Sequence, residues 1–130
     1  PGRSERSLNG GDVVLGSGRT DGRAQLVFFA APDCPVCKSI LPAFRSLAAA
    51  ESGSTEFLLA SAGEDIEEHL RLIADAGLQK FGYVFSDRFV MDLGISKLPY
   101  AVLLSSDRRL AAFGVVYTRD PLYTLALCDL

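Results

Sequence analysis

Hydrophobic positions along this chain fall into two kinds of pattern. Residues 26–30, Leu-Val-Phe-Phe-Ala, are continuously apolar, and residues 57–60, Phe-Leu-Leu-Ala, repeat the pattern. Short unbroken apolar runs between polar flanks predict strands buried on both faces. Between them the spacing changes. From Pro35 to about residue 50, Ile40, Leu41, Phe44, Leu47 and Ala48 recur at steps of three and four, which predicts a helix with one apolar face. Pro42 lies inside that helix and predicts a kink. A second helix is predicted over 65–76, with Ile66, Leu70 and Ile73 on one face and Gly77 as terminator. A short strand at 83–85 and a short helix at 87–93 follow. Strands at 100–104 and 110–116 are joined as a hairpin through Ser105, Ser106, Asp107, Arg108 and Arg109. Pro121 suits the first turn of a closing helix through Leu127. Before all of these, 12–15 reads as a short edge strand, 16–23 as turns, and 1–11 as a polar, flexible N-terminal segment.

The predicted order is β, β, α, β, α, β, α, β, β, α. Strands alternating with helices imply an α/β domain with helices on both faces of a sheet. A chain of 130 residues fits one domain, expected over 12–130. Composition adds little except exclusions. With 48% hydrophobic and 22% charged residues it is ordinary globular material. A formal charge of −3 without a basic cluster argues against nucleic acid as a partner. The apolar stretch 26–31 is far short of the roughly 18 residues a membrane helix needs. The chain begins at Pro1 with no signal-peptide pattern, so any signal or membrane anchor is expected upstream of it.

The chemistry sits in the cysteines. Cys34 and Cys37 are three apart, after a predicted strand and at the start of a predicted helix; Cys128 is far away in the sequence. At a helix start, free backbone N–H groups and the positive dipole end favour a thiolate at the first cysteine. Only the thiolate attacks a disulfide, so Cys34 is the candidate nucleophile and Cys37, one turn inside, the resolving residue. Pro35 suits the first helical position because it lacks an N–H. Val36 brings no charge or hydrogen bond, which leaves the thiolate dependent on backbone N–H groups. Other readings stay open. Half a zinc site would need two more ligands, and the candidates are Cys128 and the single His69. An inert buried pair is possible in principle. A peroxidase would want a threonine three before its cysteine, where Ala31 and Cys34 stand. A copper-binding module would need ligands beyond one histidine. No cofactor is expected, and no metal.

Four features in order resemble the thioredoxin superfamily. They are the apolar strand before Cys34-Pro35-Val36-Cys37-Lys38, Pro42 five residues after the second cysteine, Leu98-Pro99 before the final hairpin, and the hairpin with its closing helix. The resemblance implies a thioredoxin fold: a central mixed sheet flanked by helices. The extra strand and helix between Glu56 and Phe85 are similar to the βα insertion of the TlpA-like branch. Within that branch, residues 31–38 and 97–103 resemble the MauD family of methylamine utilisation proteins. Several expectations follow from the resemblance. Pro99 would be cis and lie beside the two sulfurs, and the Leu98 backbone would pair with an extended substrate segment. The activity would be protein thiol–disulfide exchange, with a disulfide-containing protein as substrate and a second redox protein to recycle the pair. The setting would be the periplasm, with a membrane anchor outside this chain. The implied work is forming or isomerising disulfides in the methylamine dehydrogenase small subunit. The alternative is a TlpA-like reductase serving cytochrome or metal-site assembly.

The chain also departs from the superfamily pattern. Phe28 occupies the position of the buried acid that many thioredoxins keep six residues before the first cysteine, and Ile40 that of the glutamate that some TlpA-like reductases keep three after the second. Without either acid an apolar site keeps Cys37 protonated and slows its attack, which suits an oxidase or isomerase better than a fast reductase. Asp33 is read as a helix cap or a solvated residue. Lys38 is read as a solvated helix residue that could also tune the sulfurs, His69 as a surface histidine, and Cys128 as a small apolar residue of the closing helix. The acidic residues Glu64, Asp65, Glu67 and Glu68 complement the dipole of the second helix.

Overall fold

The computed structural model of the chain describes residues 3–10, 12–15, 24–51, 53, 55–62, 65–95, 98–104 and 110–115; at 3–6, 12–15 and 110–115 only the backbone is described. Among these residues the elements in chain order are β1 (Arg3–Arg6), β2 (Asp12–Leu15), β3 (Ala24–Phe29), α1 (Pro35–Glu51), β4 (Thr55–Ser61), α2 (Ile66–Ala76), β5 (Gly82–Phe85), α3 (Asp87–Asp92), β6 (Tyr100–Leu104) and β7 (Leu110–Val115).

The apolar run before the cysteines becomes the centre of a five-stranded sheet ordered β5-β4-β3-β6-β7. β3 and β4 are parallel, as are β4 and β5, while β6 is antiparallel to both β3 and β7. Alternate residues of β3 serve different layers. Leu26, Phe28 and Ala30 join the apolar residues of α1 and α2 in one cluster. Val27 and Phe29 join Leu58, Ala60, Val84 and Phe89 of α3 in the other. Helices therefore cover both faces, and an unbroken apolar strand is what such a sheet requires. The pivot of the larger cluster is Phe44, fully buried, whose ring lies 5.6 Å from Phe28, 5.7 Å from Phe57 and 5.1 Å from Phe81. Each such aromatic pair contributes roughly 0.5–1.5 kcal/mol beyond the area it buries.

Local rules set the helix ends. Asp65 caps α2 by accepting from the Glu67 N–H, and Gly77 ends it in the left-handed region at φ 70°. Ser86 caps α3 through the Phe89 N–H. α1 runs through Pro42 without a break; Pro42 is exposed, so the carbonyl it cannot bond faces water. Among the described residues no helix is long and apolar enough to cross a membrane.

The structure differs from the sequence reading in three places. The segment 1–11, expected to be loose, contains β1, which pairs antiparallel with β2. Next to it, residues 7–9 are tied to the sheet edge. Leu8 N–H donates to the Tyr83 carbonyl at 2.9 Å, Tyr83 N–H donates to Ser7 Oγ at 2.9 Å, and the Asn9 amide donates to the Leu78 and Phe81 carbonyls. They cover part of an edge strand that would otherwise present free backbone groups. Second, the buried face of α2 is not that of Ile66 and Leu70, which are each 46% exposed; it consists of His69, Leu72 and Ile73. Third, His69 is not a surface residue. The predicted hairpin turn at 105–109, the closing helix at 121–127 and Cys128 lie outside the described residues.

Candidate redox site

The chain reaches the cysteines by a tight exit from the sheet. The Ala30 N–H still bonds the Ala60 carbonyl of β4 at 3.1 Å. Ala31, Pro32 and Asp33 then turn, and the Cys34 N–H closes on the Ala31 carbonyl at 3.2 Å. Cys34 is the cap of α1: its carbonyl accepts the Lys38 N–H at 3.1 Å and its sulfur accepts the Cys37 N–H at 3.2 Å. That sulfur stands where the oxygen of a capping serine or aspartate stands in other helices. Asp33, read from the sequence as a helix cap or a solvated residue, is exposed and leaves the cap to Cys34. Pro35 is the first residue of the helix, as its missing N–H favours.

Cys34 and Cys37 are joined by a disulfide, with Cα atoms 5.2 Å apart. The two sulfurs are unequally presented. Cys34 is half-buried, flanked by exposed Pro35 and Val36, whereas Cys37 is 1% exposed within the apolar cluster of α1 and β3. Phe28 and Ile40, at the two positions where the resemblance implies acids, are buried in that same cluster. Cys37 thus sits against hydrocarbon. Lys38 is exposed on the first turn of the helix.

Leu98 and Pro99 reach the site through strand register. Tyr100 pairs with Phe29, so the two residues before β6 lie at the end of the sheet from which the cysteine turn leaves. The Leu98–Pro99 peptide is cis, as the resemblance implies. Pro99 is buried and Leu98 is 41% exposed. Among the described residues no three His, Cys, Asp or Glu side chains gather as a metal site would.

His69 shows what sequence reasoning missed. It is buried, with Nδ1 2.9 Å from the Tyr83 hydroxyl and its ring 4.3 Å from that of Phe85. Burial lowers its pKa below the ordinary 6.5, against the opposing pull of Glu68, Asp65 and Asp87 and of a hydrogen bond to the Ala62 carbonyl. A neutral ring that accepts from Tyr83 and donates to Ala62 satisfies both nitrogens. Burial also pushes Tyr83 up to about 12, with a Ser61 hydrogen bond acting the other way. The only local hint was polar spacing on α2; the partners come from a strand 14 residues later.

No protein-family model matches the chain. Methylamine utilization protein MauD of Methylophilus methylotrophus is 37% identical over 119 residues, which cover 92% of this chain and 55% of that protein. The chain spans a little over half the length of the MauD proteins it matches. Among solved structures, a thioredoxin-family thiol:disulfide interchange protein of Chlorobium tepidum gives a TM-score of 0.83 at 15% identity, over 99% of this chain and 93% of that one. A secreted disulfide oxidoreductase of Mycobacterium tuberculosis gives 0.77 at 17% identity, over 92% and 90%. With a Cys-Pro-Val-Cys helix start and a cis-proline at the neighbouring strand, the chain has the thioredoxin fold and is similar in sequence to the MauD proteins.

Proposed function

We propose that this chain is a protein thiol–disulfide oxidoreductase, with Cys34 as nucleophile, Cys37 as resolving residue, and Leu98 and Pro99 as the edge that receives the substrate backbone. The observation that carries the reading is the 3.2 Å contact from the Cys37 N–H to the Cys34 sulfur at a helix start. An N–H aimed at a sulfur stabilises it most when it is negative, so the reduced Cys34 favours its thiolate. In the oxidising direction, a substrate thiolate attacks the half-buried Cys34 sulfur and Cys37 leaves. A second substrate thiolate then attacks the mixed disulfide, releasing Cys34 as thiolate and the substrate as disulfide. In the reducing direction the buried Cys37 must lose a proton before it attacks, with hydrocarbon around it, which slows resolution. A long-lived mixed disulfide suits forming or isomerising disulfides better than rapid reduction.

The similarity to MauD supports a role in methylamine utilisation: the substrate is the disulfide-rich small subunit of methylamine dehydrogenase, in the periplasm. A membrane anchor lies in a part of the protein beyond this chain, and a second redox protein recycles the pair. Trapping tests this. Cys37→Ala leaves Cys34 able to attack but not to be released, so partners accumulate as mixed disulfides. In periplasm of cells grown on methylamine, the expected capture is the methylamine dehydrogenase small subunit. Capture of cytochrome-assembly proteins instead would favour the reductase reading, and capture equal to that of a Cys34→Ala control would refute the mechanism.

A further inference from the structure

Asn9 is the only asparagine of the chain, and Gly10 follows it. An asparagine carboxamide can be attacked by the backbone nitrogen of the next residue, and a glycine there puts no Cβ in the way and leaves the backbone free to turn. The structure occupies the groups that reaction needs. Asn9 Nδ2 donates to the Leu78 carbonyl at 3.0 Å and to the Phe81 carbonyl at 2.7 Å, so both of its N–H donors are used and the carboxamide is fixed on the loop between α2 and β5. The Gly10 nitrogen, the attacking atom, donates to the Ser7 carbonyl at 3.1 Å, and the Asn9 N–H donates to Ser7 Oγ at 3.2 Å. Water is close by: Gly10 is exposed at φ 99°, with open space where a Cβ would stand. The clamp is also shallow. Residues 7–9 are half-buried, Leu8 is their apolar anchor, and two hydrogen bonds to Tyr83 hold them on β5. A segment with so few buried contacts opens at a small fraction of the global unfolding free energy.

We propose that Asn9–Gly10 is a conditional deamidation site, shut while residues 7–10 are docked on β5, open to hydrolysis when they detach, and locked open by its product. In the detached segment the Gly10 nitrogen gives its proton to solvent and attacks Asn9 Cγ. The carbon–nitrogen bond of the side-chain amide breaks, ammonia leaves with a proton from water, and a cyclic imide forms. Water then opens the imide at either carbonyl and yields aspartate or isoaspartate. The net exchange is one water in and one ammonia out, with no change of oxidation state. Either product replaces two N–H donors with a carboxylate that only accepts. Redocking sets that negative charge against the Leu78 and Phe81 carbonyl oxygens, where the amide had bonded them. The β5 edge then keeps its backbone groups uncovered.

The full chain is incubated at pH 8, native or unfolded in guanidinium chloride, and tryptic peptide 7–19 is read by mass for amide-to-acid conversion and for isoaspartate. The native chain is expected to convert at least roughly tenfold more slowly than the unfolded one, the factor that about 1.4 kcal/mol of local closure supplies. Ser7→Ala removes the hydroxyl that accepts from Tyr83 and Asn9 and leaves the Asn-Gly bond intact; its native rate should fall between the two. In Asn9→Asp, amide hydrogen exchange at Leu8 and Tyr83 should rise about tenfold, the loss of one to two net hydrogen bonds, while the central strand pair β3–β6 exchanges as in the wild type. Equal conversion in native and unfolded chains, or a Ser7→Ala rate equal to that of the native wild type, would overturn docking as the control. Wild-type exchange at Leu8 and Tyr83 in Asn9→Asp would overturn the lock.

Discussion

The Cys37 N–H points at the Cys34 sulfur, 3.2 Å away, in the first turn of α1. One cysteine is therefore the cap of the helix and the other is its third residue, so the two cysteines of the disulfide are also the two ends of a capping contact. This relationship gives them unequal surroundings. The cap is half-buried at the helix mouth, and the third residue is inside the core.

The apolar setting of Cys37 makes Phe28 a point of control. Phe28 is fully buried in the same cluster and packs on Phe44. Phe28→Asp places a proton acceptor in that cluster, and the expected gain in mixed-disulfide resolution is roughly tenfold or more, the low end of general-base effects. The same change loses an aromatic side chain from the core and costs at least about 3 kcal/mol. Stopped-flow release of a model peptide from its Cys34 adduct, together with a denaturant midpoint, checks both. An unchanged release rate in a folded variant would mean that the missing acid has no bearing on Cys37.

His69 predicts a specific dependence of stability on pH. Its folded pKa lies below the unfolded value of about 6.5 because burial penalises the charged ring. As pH falls through about 6.5 the unfolded chain takes up a proton that the folded chain refuses. The contribution is thus complete above the unfolded pKa and is lost on acidification toward the folded one. Urea melts at pH 8 and pH 5 should show a larger drop for the wild type than for His69→Gln. Equal drops would show that His69 does not carry the pH dependence. Tyr83→Phe, which leaves the His69 Nδ1 without its partner, is expected to cost about 1–3 kcal/mol at neutral pH.

Much of this architecture was legible in local pattern, because its central strands are buried on both sides and its main helix has one apolar face. β3, β4 and β6 follow from apolar runs, and the cysteine site follows from where those runs stop. What escaped depends on distant partners. The four residues of β1, Arg-Ser-Glu-Arg, have no alternation; they form a strand through pairing with β2. On α2, Ile66 and Leu70 outrank His69 in hydrophobicity, yet His69 is the one buried. Tyr83 and Phe85 of β5 supply it with a hydroxyl and an aromatic wall that no neighbour on its own helix reveals. The capping role of Cys34 also escaped, because Asp33 is the stronger cap by residue type.

Gly77 is required by its backbone. It ends α2 at φ 70°, and an added Cβ would sit 3.1 Å from the guanidinium carbon of exposed Arg45 on α1, which has room to shift. Gly77→Ala is expected to destabilise by about 1–2 kcal/mol through its left-handed backbone. Arg45→Ala in the same chain should recover only the part due to crowding. A thermal melt of the two single variants and the double variant separates the terms, and a neutral Gly77→Ala would contradict the backbone account.

The most direct measurement is the rate of alkylation of reduced Cys34 against pH, taken in Cys37→Ala so that one sulfur of the pair remains and with Cys128 counted separately by peptide mass. The account predicts a midpoint clearly below the roughly 8.5 of a free cysteine, within the range of about 3.5–7.5 seen at helix starts. In the complementary Cys34→Ala variant, Cys37 should react far more slowly at every pH. A Cys34 midpoint at the free-thiol value, with both sulfurs equally reactive, would contradict it.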